Sequence, residues 1–316
     1  MPAETLPINE SIREIDGDCW LIGDKLLLSR QCSPSSDHPS WSDGNGLFYV
    51  LSEATDPPPE SRPLSETSEL QKVYDIQTFS SVWRVGEAFI KVKKPLIPDA
   101  TREHVTLDYV HSKGPVGFGI PDVYYHAEFN GRYYIVLSRL PGQTLSEAWP
   151  NMDEPTKQDH VRRIANVCEE LAAWKGDSIS GVDGHQVSDL FFTKLGWEKN
   201  CDPQHLVNNC KEMGMDCSSF VFYHCDLGPG NIIVNPTEGP IGIIDWEIAG
   251  FVPREWIRTK FCFCGGLDLP FKDMDARVDW RRRVTRQLGV MGFPEALDKW
   301  AAWYKSGRSE GGSAST

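Results

Sequence analysis

No run in the sequence approaches the roughly 20 apolar residues that a membrane-crossing helix needs, and the opening Met1-Pro-Ala-Glu-Thr5 sets no basic stretch ahead of an apolar one. Neither membrane insertion nor export is expected, and a cytoplasmic location is. A disulfide framework is also missing. The nine cysteines are scattered without even, compact spacing, as in reduced cytosolic proteins. Cys262 and Cys264 lie one residue apart, but no second Cys or His pair stands at zinc-site spacing. Positive charge is in deficit: the net charge of −13 disfavours non-specific binding to nucleic acid or anionic membranes and mildly favours a cationic partner. The one dense basic run, Arg281-Arg282-Arg283, reads as a solvated helix face. Asn9-Glu10-Ser11 has the form of a glycosylation acceptor but no export signal to expose it.

What is present is a chain of 316 residues, long enough for two lobes with separate cores. Its first part is strand-rich. Residues 19–28 read as a strand pair around a Gly-Asp turn, 48–51 as another apolar strand, and the Pro-rich 56–64 as a surface loop. Residues 82–85 and 88–92 form a hairpin about Gly86-Glu87. A helix is expected over 101–112, then strands at 122–127 and 133–137 about the Asn130-Gly131 turn signal. After Pro141-Gly142 the pattern turns helical, with Val161, Ile164, Val167, Cys168 and Leu171 on one face of a helix over 154–174 and a β-rich insertion at 220–245. The reading is α+β and bilobal: a flexible N-terminus (1–17), a small β-rich N-lobe (18–137), a connector (138–143), a larger, mainly helical C-lobe (144–305) and a disordered tail (306–316).

The chemistry concentrates in two stretches, Phe222 to Val234 and Ile241 to Glu247. Apolar strand-like runs flank polar residues that a core would not accept. His224, Asp226 and Asn231 fall in the loop between two runs and Asp245 ends the second, so oxygen-bearing side chains can converge at one end of a β-hairpin. A hard magnesium ion takes few protein oxygens and lets phosphate complete its shell, which suits one Asp and one Asn. Asp226 is then left to receive a proton.

The order His-x-Asp, four residues, Asn, and then an Asp fourteen residues beyond, is close to the catalytic-loop and metal-loop pair of protein kinases. The chain resembles the aminoglycoside phosphotransferase and choline-kinase-like family, particularly its fungal branch, in which Asp-Trp-Glu replaces Asp-Phe-Gly. The match runs from His224 through Ala249-Gly250-Phe251 to Trp256. The resemblance implies a protein-kinase-like fold and a transfer from ATP with Mg2+. It makes Asp226 the catalytic base or orienting group, Asn231 and Asp245 the metal ligands, and His224 the support of the loop. Glu247 is left open between ordering this loop, or the outer surroundings of the metal, and simple solvation.

In the N-terminal half, Ala88-Phe-Ile-Lys91 resembles the Val-Ala-Ile-Lys strand, which makes Lys91 the anchor of the α- and β-phosphates and Glu103 its helix partner. No G-x-G-x-x-G precedes that strand. Gln77 to Trp83 stands in its place, where backbone N–H groups with the Ser80 and Ser81 hydroxyls would cradle phosphate, an ordinary hairpin turn being the alternative. Residues 135–142 resemble the connector against which adenine lies, with Leu137 backing the base and the Ser138 carbonyl and Leu140 amide at its edge.

Only a few residues separate Glu247 from the next helical region, and no Ala-Pro-Glu or long Ser/Thr-bearing segment comes after it. Protein kinases use that segment as peptide platform and switch. Its absence favours a small hydroxylated acceptor (an amino alcohol, a sugar or a secondary metabolite) bound near Asp226 and walled by segments around Trp197 or Phe251 to Phe261, aromatic residues that serve equally as core. Two other readings stay open: an atypical protein kinase, and a nucleotide-binding protein of this fold turned to other chemistry or regulation.

Overall fold

The computed structural model describes residues 6–194, 200–235 and 239–311, the last stretch with side chains to Ser306. Two compact units emerge: Met1–Leu96 with Pro121–Arg139, and Ile97–Ile120 with Leu140–Thr316. The architecture is the α+β one expected, β-rich first and mainly helical afterwards.

The first unit is built from two antiparallel sheets. One contains β1 (Ile12–Asp16), β2 (Cys19–Ile22), β3 (Leu26–Gln31), β4 (Ser40–Ser42), β5 (Phe48–Glu53) and β6 (Arg62–Pro63), in the order β4-β5-β3-β2-β1-β6. The other contains β7 (Gln71–Ile76), β8 (Ser80–Val85), β9 (Ala88–Lys93), β10 (Val123–Phe129) and β11 (Arg132–Ser138), in the order β10-β11-β9-β8-β7. Strand alternation decides which side chains meet. Trp83, Val85, Ile90, Val92, Tyr134 and Val136 share one buried cluster with Trp20, Ile22, Leu28, Trp41 and Tyr49 of the other sheet. The alternate residues Phe89, Lys91 and Lys93 are only half-buried. Asn130 (φ +52°) and Gly131 (φ +68°) are both left-handed, as a two-residue type I′ hairpin requires.

The N-terminal boundary at 17 is corrected. A 3-10 turn spans Ile8–Glu10 and β1 begins at Ile12, with Ile8 and Ile12 buried. Two isoleucines among polar neighbours gave no readable period, and it is pairing with β2 that orders them.

The second unit contains α1 (Glu103–Ser112), α2 (Leu145–Ala148), α3 (Glu154–Ala172), α4 (Pro203–Glu212), α5 (Arg254–Phe263), α6 (Met274–Val290) and α7 (Leu297–Gly311). Two small antiparallel sheets accompany them: β12 (Gln143–Thr144), β15 (Ile232–Val234) and β16 (Gly242–Ile243) in one, β13 (Lys175–Gly176), β14 (Phe220–His224) and β17 (Ala249–Val252) in the other. Helix α3 starts where Asp153 caps the Thr156 N–H at 2.9 Å, the expected role of an N-cap aspartate. Helix α1, expected in the N-lobe from sequence, clusters with this unit instead, because the Tyr109 ring packs against Trp174, Phe222 and Phe251. The tail boundary at 306 also moves. Helix α7 continues to Gly311, with Trp300 and Trp303 buried on its face.

The arginine run is a solvated face only at Arg282; its neighbours are engaged. Arg281 reaches Asp268 and the Phe261 and Cys262 carbonyls at the end of α5, Arg283 bridges Asp279 and Glu154, and Arg282 pairs with Asp275. Helix α6 is thereby tied to α5 and α3. No helix among the described residues is long and apolar enough to cross a membrane.

Candidate active site

Strand β14 is buried at every position, pairs with β17 through Tyr223↔Gly250 and His224↔Ala249, and delivers His224, Cys225 and Asp226 into a loop. A 3-10 turn at Pro229–Asn231 closes that loop onto β15, and Ile232↔Ile243 pairing sets Asn231 beside the end of β16. The Ile244 N–H donates to the Asn231 carbonyl at 3.0 Å, so Asn231 and Asp245 are neighbours through one backbone hydrogen bond. Asp226 and Asn231 meet side chain to side chain, and Asp245 follows the residue that bonds to the Asn231 backbone.

His224 is fully buried and ties these pieces together. Its Nδ1 accepts the Asp226 N–H at 3.3 Å and its Nε2 faces the Ile244 carbonyl at 3.0 Å. Together these partners require the neutral tautomer with the proton on Nε2, donated to Ile244. Trp246 packs edge-on at 4.7 Å. Burial holds the His224 pKa below its ordinary 6.5, while Asp226 and Asp245 pull it upward. With a depressed folded-state pKa, the unfolded chain binds the proton first. The stability that neutral His224 contributes is whole above its unfolded pKa and is lost as pH falls through the folded value. Thermal midpoints of wild type and His224→Gln should converge as the pH is lowered from about 7.5 to about 5; a constant gap would contradict this role.

Asp226 is half-buried. The Asn231 amide donates to its backbone carbonyl at 2.8 Å and to its Oδ2 at 3.1 Å. The side-chain nitrogen is thereby engaged, leaving the Asn231 side-chain oxygen, Oδ1, as the atom suited to a cation. Asp245 adopts φ +65°, ψ +58°, a left-handed conformation that Asp tolerates better than most residues. It marks the sharp break where β16 gives way to the turn Trp246–Ile248. Carboxylate oxygens of Glu103, Asp245 and Glu247 lie within 4.8 Å of one another, and Glu103, buried, accepts the Trp246 N–H at 3.1 Å. Oxygen donors of this kind fit a hard divalent cation. Glu247, undecided from sequence, stands with Asp245 rather than apart in solvent.

In the first unit, Lys91 lies on the half-buried side of β9, in register with Val82 and Ile135. Ser80 and Ser81 open β8 after the turn at Gln77 to Phe79. Ser81 corrects the expectation. It faces the core, and its one hydroxyl hydrogen goes to Asp75 Oδ1 at 3.1 Å, so only Ser80 keeps a half-buried hydroxyl at the turn. In the connector, the Ser138 N–H donates to the Asp122 carbonyl and its Oγ accepts the Asp122 N–H, each at 2.8 Å. The Leu140 side chain belongs to the second unit, where it fills the space beside Gly242; a Cβ there would stand 2.6 Å from Leu140 Cδ1.

Of the proposed acceptor walls, Trp197 lies outside the described residues. Phe251, Trp256 and Phe261 are buried, Trp256 stacking on Phe192 at 4.1 Å, so they are core. Sequence reasoning missed the network beneath the loop. Lys260 Nζ donates to Asp189 Oδ2 at 2.6 Å, the Trp256 indole to the same oxygen at 2.9 Å and the Phe191 N–H to Oδ1 at 3.3 Å, with Lys260 and Asp189 both buried. Burial opposes the Lys260 charge most strongly, but Asp189, together with Cys225 and Cys264 nearby, outweighs it and the pKa is raised. Burial also drives the Cys225 pKa well up, so the residue between His224 and Asp226 is an inert thiol. The pair is 71 residues apart in sequence, and no local pattern announces it.

No curated protein sequence matches the chain. Among solved structures, the aminoglycoside phosphotransferase APH(3'')-Id from Streptomyces rimosus superposes at a TM-score of 0.50 with 13% identity, over 74% of this chain and 90% of that one; the likeness shows a kinase-like fold. The streptomycin-ATP-APH(2'')-IIa ternary complex (TM-score 0.46, 17% identity, 74% and 83% covered) and the aminoglycoside-3'-phosphotransferase of type VIII (0.44, 15%, 74% and 91%) are more distant in shape and carry no argument. The profile of the phosphotransferase enzyme family matches residues 70–256. That span is more than half of the sequence and includes Lys91, Glu103, Asp226, Asn231 and Asp245, so the chain belongs to the phosphotransferase enzyme family.

Proposed function

We propose that this protein transfers the γ-phosphoryl group of ATP to a hydroxyl of a small molecule in the presence of Mg2+. The observation that carries the proposal is Asp226, a half-buried carboxylate held at a strand-to-turn junction by Asn231, with Asp245 one hydrogen-bonded step away. In the reaction, the acceptor oxygen forms a bond to the γ-phosphorus, the bond from that phosphorus to the β–γ bridging oxygen breaks, ADP departs, and the acceptor proton passes to Asp226. The Asn231 amide aims the carboxylate, and neutral His224 fixes the backbone that bears it. Asn231 and Asp245 would hold the metal, which when bound supplies charge neutralisation on the phosphates. By the family resemblance Lys91 would serve as the cation for the α- and β-phosphates, Glu103 as the helix carboxylate of the motif, and Ser80 as a hydroxyl at the turn; Ser138 and Leu140 would offer backbone groups to the base.

A small acceptor is supported by the short link between the metal loop and the next helix. Strand β17 passes directly into α5 at Arg254, leaving no stretch for a peptide platform. Incubation with labelled ATP and Mg2+ against amino alcohols, sugars, aminoglycosides and peptides tests the reading. Label on a small molecule is expected, and label on peptides alone would overturn it.

A further inference from the structure

The six-stranded sheet, residues 12–63, precedes the family-matched span 70–256. It nevertheless grips the turn on which the connector hangs. Trp41 of β4 donates its indole N–H to the Val85 carbonyl at 2.8 Å and stacks on Tyr124 at 5.9 Å and 10°. The next residue, Ser42, accepts the Glu87 N–H at 2.9 Å. Between them sits Gly86, at φ +58°, where a Cβ would stand 2.6 Å from the Ser42 carbonyl oxygen and 2.7 Å from Asp43 Cα. The end of β4 is thus seated on the β8–β9 turn more closely than any side chain allows.

The turn in turn holds the connector twice. The Arg139 N–H donates to the Glu87 carbonyl at 2.9 Å, and Arg139 Nη1 lies 2.9 and 3.1 Å from the two Glu87 carboxylate oxygens. Ser138 is fixed from the other side by its reciprocal pair of bonds with Asp122. With side-chain exposures of 25% and 46%, the Arg139–Glu87 pair contributes little to stability. Its value lies in geometry, since a backbone bond and a side-chain bond between the same two residues set both position and twist of the peptide.

We infer that Glu87 and Arg139, braced by Trp41 and Ser42 of the N-terminal sheet, are positioning residues for recognition of the nucleotide base by the connector backbone. The inference rests on the function proposed above. It makes the N-terminal sheet a support of the nucleotide site.

The test compares adenosine, which engages the connector, with magnesium tripolyphosphate, which engages only the phosphate and metal groups. Both are titrated calorimetrically into the full-length wild type, Glu87→Gln, Arg139→Gln and Trp41→Phe, the last removing the indole donor while keeping a ring on Tyr124. Adenosine affinity should fall about tenfold in each variant, with tripolyphosphate affinity unchanged in all three and melting temperature unchanged in Glu87→Gln and Arg139→Gln, whose side chains are partly exposed. Equal losses for both ligands, or none for either, would overturn the inference while leaving the proposed function standing. A wild type that binds neither adenosine nor ATP would instead overturn the proposed function and this inference with it.

Discussion

Replacing Asp226 by Asn should lower single-turnover phosphoryl transfer by about 10²–10⁴-fold, the usual worth of a positioned general base, with nucleotide affinity and melting temperature close to wild type. The substitution is nearly isosteric. The Asn231 bond to the residue 226 backbone carbonyl, at 2.8 Å, does not depend on the side chain, and neither does the N–H donated to His224. The loop should therefore keep its shape while losing the group that takes the proton. Rapid-quench measurement of product at saturating ATP and acceptor checks this. An undiminished rate would mean that the acceptor proton leaves by another route, and a large fall in melting temperature would mean that Asp226 serves the loop rather than the reaction.

Asp245→Asn carries the second large effect. Asn is among the few residues at ease in the left-handed region, so the variant removes charge without breaking the turn at φ +65°. Loss of a charged oxygen ligand should weaken Mg2+-dependent ATP binding by roughly two orders of magnitude and bring affinities with Mg2+ and with excess chelator together. Because Asp245 crowds against the Glu103 and Glu247 carboxylates within 4.8 Å, relief of like-charge repulsion should hold or raise the melting temperature of the nucleotide-free protein. Unchanged Mg2+ dependence would remove Asp245 from the metal set. Asp245→Ala serves as contrast, adding backbone strain to the same loss of charge.

The parts of the molecule legible in sequence are those whose determinants are local. His224, Asp226, Asn231 and Asp245 stand between apolar strand runs, and the β14, β15 and β16 pairings bring them together as the spacing implies. Asn130-Gly131 and Gly86-Glu87 were readable as hairpin turns because Asn130, Gly131 and Gly86 take the left-handed backbone such turns need. Determinants set by tertiary partners were not readable. Ser81 points inward because alternation along β8 puts it on the side of Trp83 and Val85, where Asp75 meets it. Helix α1 joins the second unit through Tyr109, packed on Phe222, and through Glu103, which accepts the Trp246 N–H. The arginines of α6 find carboxylates on the same helix and on other segments, and Asp189 finds Lys260 across 71 residues. The N-terminal sheet was only partly visible, since β1 and β6 offer few apolar residues and form by pairing with each other and with β2.

The central claim is transfer of the terminal phosphoryl group to a small hydroxylated acceptor, and the position of the label decides it most directly. ATP labelled in parallel at the α- and γ-phosphorus would be incubated with Mg2+, the full chain and a mixed pool of amino alcohols, sugars and aminoglycosides, with Asp226→Asn alongside. The account predicts γ-label, and no α-label, in a small-molecule phosphate ester formed by wild type and about 10²–10⁴ times more slowly by the variant. Transfer of α-label to any acceptor, or ester formation that survives Asp226→Asn undiminished, would contradict it.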